Sequence, residues 1–217
     1  YWDWNDSWIW GGDVEWSLNE TFRKAFHPKF GMTVGFSYVG KYEGDEDIFT
    51  EDMTHKLNLP NNIAAFDARM KFRIHNFSIL AEFATKNNDP NADNGYIYRR
   101  GTAALLSATY SSKGFSAFLQ AKRSDNMSFR SERSMVGVSS FINHMPAFTT
   151  TQTYALAAMY PYATQPDGEW ALQGELRYTF KRKTPLGGRY GTEVRLSGSY
   201  IAGLNRNYPD PNNPVNP

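Results

Sequence analysis

The residues of this chain best suited to chemistry form one short run, Asp89-Pro90-Asn91-Ala92-Asp93-Asn94-Gly95. Asp89, Asn91 and Asp93 place oxygen donors at alternate positions ahead of a glycine, as at the start of a calcium loop. The glycine is displaced by one position and Arg100 stands where a closing glutamate belongs, and a plain Asx/Pro turn accounts for the same residues without a metal. Calcium is thus the one cofactor the sequence offers, and otherwise none is expected. A second oxygen-rich run, Glu43 to Asp47 with Glu51 and Asp52, reads as a solvated loop. The four histidines, His27, His55, His75 and His144, fall in or beside turns, in no recognisable spacing with a serine or carboxylate partner. No nucleophile elbow or metalloprotease motif is present, so no enzymatic activity is expected.

The remaining chemistry lies in charges spaced two apart. Asp67, Arg69, Lys71 and Arg73 alternate with Phe66, Ala68, Met70, Phe72 and Ile74, the period that sends neighbouring side chains to opposite sides of a strand. After His75-Asn76 the pattern resumes, with Phe77, Ile79, Ala81 and Phe83 set against Ser78, Leu80, Glu82 and Ala84. A two-residue turn pairs Phe72 with Ile79, Met70 with Ala81 and Arg69 with Glu82, so apolar meets apolar and opposite charges lie across from each other. A slip of one residue would undo every pair. Glu175, Arg177 and Arg195 occupy the same polar phase further on, as do Asp13, Glu15, Arg23, Lys86 and Lys122. A mixed-sign polar face of this kind either holds water and passes small solutes or is knitted shut by ion pairs. Arg69, Lys71 and Arg73 give it a ladder of one sign suited to anions.

These charges need strands to position them, and the strands recur along the chain. Val14, Trp16, Leu18 and Phe22 alternate with polar residues, which predicts a strand running past Thr21; Phe30, Met32, Val34, Phe36 and Tyr38 follow after His27-Pro28-Lys29. A third hairpin pairs Thr102 to Tyr110 with Phe115 to Ala121 through Ser111 to Gly114, and a fourth pairs Leu172 to Phe180 with Val194 to Tyr200. Between hairpins lie long connections, the longest from about residue 123 to 168, read as an extracellular or lumen-plugging loop region. Its Met, Phe and Tyr content is high for a solvated loop. On the predicted strand phase Glu20 faces the apolar side, which marks it as a contact with another subunit unless a bulge re-aims it.

Strand, short turn, strand, long loop, repeated about four times, is the rhythm of an outer-membrane barrel. Phe26, Phe30, Phe77, Tyr110, Phe115 and Phe180 sit beside the short turns, and Trp16, Tyr42, Tyr98, Trp170 and Tyr200 near the long-loop ends, as two aromatic girdles would. Aromatics are 16% of the 217 residues and charged residues 21%, and cysteine is absent. The net charge of +1 argues against a nucleic-acid partner, which calls for a strong basic excess. No apolar run reaches the length of a transmembrane helix, and a closed barrel needs none. The expected fold is therefore all-β, an antiparallel up-and-down transmembrane β-barrel of about eight strands here within residues 1–217. The absence of a leading export signal and of a final strand ending in an aromatic predicts one arc of a larger barrel. The partners expected are the lipid bilayer and other outer-membrane proteins.

Three stretches, Asn143-His144-Met145-Pro146-Ala147-Phe148-Thr149, Met159 to Glu169 and Phe180-Lys181-Arg182-Lys183-Thr184-Pro185-Leu186-Gly187-Gly188-Arg189-Tyr190-Gly191-Thr192, resemble an uncharacterised family of Bacteroidota outer-membrane β-barrel proteins. The resemblance covers roughly residues 143–200. It implies a bacterial outer-membrane location and a barrel longer than this chain, and carries no catalytic residues with it. Two functions fit: a structural or accessory subunit of an envelope complex, or a passive pore or transporter for small polar or anionic solutes.

Overall fold

A computed structural model describes residues 7–22, 29–50, 53–134, 140–149, 164–165 and 168–204. Eight strands, β1 (Trp8–Ser17), β2 (Phe30–Tyr42), β3 (Asn62–Ile74), β4 (Phe77–Lys86), β5 (Gly101–Ser112), β6 (Phe115–Asp125), β7 (Gly168–Phe180) and β8 (Thr192–Gly203), form one antiparallel sheet in sequence order. Among the described residues the helices are α1 (Leu18–Thr21) and a single 3-10 turn, Ala92–Asn94. The sheet is open: β1 and β8 are its two edges and do not pair with each other.

The alternation sets the register. Phe72 lies across from Ile79, Met70 from Ala81 and Arg69 from Glu82. His75 adopts a left-handed φ of 51°, which lets a two-residue turn close this hairpin. The β5–β6 turn is tighter than the sequence predicts, Lys113-Gly114 rather than Ser111 to Gly114, with Gly114 at φ 82°. Both lengths are even, so the facing of β6 is unchanged.

The first strand departs from expectation. β1 stops at Ser17 and α1 takes the next four residues. Asn19 stands in for the missing strand: its Oδ1 accepts from Met32 N at 2.6 Å and its amide donates to the Phe30 carbonyl. Glu20 therefore sits exposed on a helical turn and not on the apolar phase of a strand, and the register argument that made it a subunit contact no longer applies. Trp16 likewise lies toward the short-turn end, donating to Thr21 Oγ1 at 2.7 Å, while Trp8 and Trp10 occupy the long-loop end of β1. His27 and Arg23 lie outside the described residues.

The two faces differ throughout. One carries Val14, Phe36, Phe66, Met70, Phe83, Leu106, Leu119, Leu172, Leu176, Leu196 and Tyr200, all exposed. Among the described residues no helix or second sheet packs on it, so the apolar surface is continuous from β1 to β8. Soluble monomers rarely leave more than a few hundred Å² of contiguous apolar surface bare. The other face is polar, and at the long-loop end it is covered by residues from 126–133 and 140–149. The buried apolar residues gather there, with Leu59, Ile63, Met127, Phe129, Phe148 and Ala171 all under 5% exposed.

Candidate functional site

The polar face holds three groups of ionised side chains. The first spans β1 to β3. Arg69 reaches across β2 to β1, where Nη2 lies 2.6 Å from Asp13 Oδ1, and Nη1 also contacts Asp67 at 3.2 Å. Ser37 on β2 bridges, donating to Asp13 at 2.5 Å and accepting from Arg69 at 2.6 Å. Lys71 pairs with Glu15 at 2.7 Å. The crossing depends on Gly35: a Cβ there would lie 2.7 Å from Arg69 Nε and 2.9 Å from its Cζ. Glu82 faces Arg69 in register without joining this lattice. The second group links Arg177 to Glu175 at 3.3 Å and to Glu193 at 3.5 Å, and Arg195 to Glu175 at 3.6 Å. Arg73, exposed beside the short turn, enters neither group. The ladder Arg69, Lys71, Arg73 is thus divided: two of its cations are neutralised by carboxylates of β1 and one is left at the rim.

The third group is buried beneath the cover. Lys41, Lys86 and Lys122 project from β2, β4 and β6 near the long-loop end, each 3% exposed or less. A lone ammonium there would be strongly unfavourable, and each finds a carboxylate. Lys41 meets Glu43 at 2.8 Å and Asp89 at 3.7 Å, Lys86 meets Asp89 at 2.8 Å, and Lys122 meets Glu169 at 2.8 Å. The cover is tied to the same charges. Arg133 Nε lies 3.0 Å from Glu43 and its backbone N–H donates to the other Glu43 oxygen at 2.8 Å. Lys86 donates to the Ser128 carbonyl, and Lys122 to the Pro146 carbonyl at 2.6 Å. The rings of Phe129 and Phe148 lie 5.9 Å and 4.9 Å from Lys41 Nζ and Lys122 Nζ. Burial pushes the Glu43 carboxyl up, but the Lys41 hydrogen bond and charge with the Arg133 N–H and guanidinium outweigh it, and its pKa ends below the ordinary value.

This network gives the Asp89–Gly95 run its role. Asp89 faces two ammonium groups, and Asp93 accepts from Ser128 Oγ at 2.6 Å and from Arg130. Asn91 Oδ1 accepts from the backbone of Asp93 and Asn94 at 3.0 and 3.2 Å, while Asn94 Oδ1 accepts from Asn91 N at 3.0 Å. Asp89 and Asp93 thus meet different cations, Asn91 Nδ2 donates to the Asp89 carboxylate at 3.4 Å and to the Ser128 carbonyl at 3.2 Å, and Asn91 and Asn94 close a reciprocal cap on the 3-10 turn. Among the described residues no three His or carboxylate groups gather as metal ligands would. Between the cover and the sheet lies a cavity of about 440 Å³, bordered by Asp67, Arg69, Glu82, Lys122, Phe129 and His144.

Lys41, Glu43, Glu169, Arg130 and Arg133 were not marked by the sequence as members of one network. Lys41, Lys86 and Lys122 share one signal, a cation on the polar phase near a strand end; Glu43, Asp89 and the carbonyls of Ser128 and Pro146 that meet them come from loops with no period, and Glu169 from the start of β7. The sequence profile of a family of unknown function, DUF6029, matches residues 1–216. The chain belongs to that family. No curated protein matches, and no solved structure does. The family description names no activity, so the chemistry available is that of the geometry: an amphipathic sheet, an ion-paired polar face, and a cover fastened to one end of it.

Proposed function

We propose that this chain is an arc of a bacterial outer-membrane β-barrel and serves as a non-enzymatic structural or accessory subunit of an envelope complex. The observation that carries the reading is the uninterrupted apolar face of eight strands, with exposed Phe, Leu and Met side chains where a soluble protein would place a second layer. Hydrocarbon is the medium in which such a face is stable, and a polar interior opposite it is what a barrel presents to its lumen. The two open edges favour an arc over a finished eight-stranded barrel, because unpaired backbone groups are not tolerated in lipid. Further strands, of this protein or of a partner, complete the wall.

The structural role is favoured over conduction by the cover. Residues 126–133 and 140–149 lie against the polar face and are pinned there by Lys86, Lys122, Glu43 and Phe129, and the charges at mid-sheet are mutually paired. A passive pore for small polar or anionic solutes is the second reading; the cavity bordered by Arg69 and Lys122 is what favours it. Conductance of the full-length protein in planar bilayers separates the two. The structural reading expects closed membranes and stable co-purification with other outer-membrane proteins, and steady ion-selective channels in the wild-type protein would replace it with the pore.

A further inference from the structure

The fully described connections at the end of the sheet where β3 ends and β4 begins are residues 75–76, 113–114 and 181–191. They contain Lys113, Lys181, Arg182, Lys183 and Arg189 and no carboxylate; the β1–β2 connection at the same end, described at residues 18–22 and 29, adds Glu20 on α1 and Lys29. The five cations of the first three connections are exposed, and none of them pairs with a carboxylate among the described residues. The opposite end begins its first loop with Glu43, Asp45, Glu46 and Asp47.

Two residues suffice for the first two connections, yet the third spends eleven, and it is a built structure. Thr184 Oγ1 donates to the Lys181 carbonyl at 2.7 Å, Gly187 and Gly188 N–H groups donate to the Thr184 carbonyl at 3.1 and 3.0 Å, and Lys183 N donates to the Gly188 carbonyl at 2.7 Å. Arg182 Nε donates to the Tyr190 carbonyl at 3.0 Å. Gly187 is obligatory, since a Cβ there would lie 1.8 Å from the Lys181 carbonyl oxygen. Held by these bonds, the turn leaves Leu186 and Tyr190 outside, 67% and 74% exposed. Immediately before Lys181 stand Tyr178 and Phe180, ring centroids 4.8 Å apart, at the border of the apolar face. The neighbouring Lys113 turn is attached, with Thr179 N donating to the Gly114 carbonyl at 2.8 Å.

We infer that turn 181–191, with Lys113 beside it, is a contact surface for the headgroups of anionic phospholipids in the leaflet at the short-turn end. The inference rests on the membrane reading above. A rigid turn that sets cations among exposed apolar side chains, directly beyond an aromatic border, has the composition of an interfacial segment. Its ammonium and guanidinium groups reach the depth of the phosphates, where charge-assisted bonds form, and Leu186 and Tyr190 enter the acyl boundary.

The test is lipid retention. Full-length protein, wild type and K181Q/R182Q/K183Q/R189Q, is reconstituted in bilayers of phosphatidylcholine with one part in three phosphatidylglycerol, extracted in mild detergent, and its bound lipids counted. Each cation near a charged surface is worth about a fivefold preference. Wild type is expected to retain phosphatidylglycerol over phosphatidylcholine in a ratio at least about fivefold above that of the bilayer, and the quadruple variant, still inserted, to retain the two in the bilayer ratio. Equal enrichment in both proteins overturns the inference, and so does an absence of enrichment in wild type alongside retention of soluble polyglutamate, which assigns the surface to an acidic polypeptide. Insertion of wild type without lipid preference defeats this inference alone, whereas failure of the wild-type protein to insert defeats the membrane reading itself.

Discussion

Leu106→Arg separates hydrocarbon from water on the apolar face. Leu106 is 52% exposed and pairs with Ala81 and Ala121, so the Arg side chain clashes with nothing and breaks no hydrogen bond. It lies four residues from the border aromatic Tyr110 and five from the other end of β5. At about 3.4 Å per residue that is roughly 14 Å along a tilted strand, which places it near mid-depth in a bilayer. In water a surface substitution of this kind changes stability by about 0.5 kcal/mol or less, whereas Arg at the midplane of a barrel wall costs about 2–4 kcal/mol. The second figure is about 30- to 700-fold in the folding equilibrium. Guanidinium titration of the full-length protein in lipid vesicles, read by tryptophan fluorescence, measures it, and Leu186→Arg, in the turn at the interface where Arg costs about 0–1 kcal/mol, serves as the reference. If the two variants prove equally stable within about 0.5 kcal/mol, the apolar face does not contact hydrocarbon and the reasoning fails.

Three further outcomes follow from the polar face. Gly35→Ala drives a methyl against the Arg69 side chain, whose flexible end must move off Asp13, and is expected to destabilise by about 1 kcal/mol or less, a loss that chemical denaturation should no longer show when Arg69→Met is already present. Phe129→Ala removes a buried ring from beneath the cover at a cost of about 3–5 kcal/mol, and hydrogen exchange should rise across 126–133 while β3 and β4 stay protected. Glu43 has a folded pKa below its ordinary 4.5, so its contribution to holding the cover is complete above that value and is lost as pH falls through the folded pKa. Limited proteolysis of the cover should therefore accelerate below about pH 4.5, and Glu43→Gln, which lacks that carboxylate, should flatten the dependence at an already raised rate.

How far the sequence could be read follows from where the deciding contacts lie. The β3–β4 hairpin was legible to the residue because its period, its two-residue turn and its cross-strand pairs are all local, and each excludes a one-residue slip. Lys86 and Lys122 were legible as polar-face charges by the same alternation. Their partners in the cover were not, since Lys86 meets Ser128 across 42 positions and Lys122 meets Pro146 across 24. Asp89, Asn91 and Asp93 had calcium-like spacing; what gives them another role is the presence of Lys41, Ser128 and Arg130, which no local pattern announces. Glu20 was misplaced because Leu18 and Phe22 continue the period of two, while the side chain of Asn19 offers β2 a substitute for pairing and lets the chain turn into α1. The cover has no period at all; burial of Met127, Phe129 and Phe148 against distant strands is what fixes it.

The central claim is that lipid tails lie against the side of the sheet bearing Met32, Phe36 and Met70. Spin labels placed singly at Met32 and Met70, with one at Ser37 on the opposite face, report it directly in the full-length protein in bilayers. The account predicts that the first two are relaxed strongly by oxygen and weakly by a water-soluble nickel chelate, and that the third is not. Preferential relaxation of the labels at Met32 and Met70 by the chelate, or their shielding from both reagents by packed protein, would contradict it.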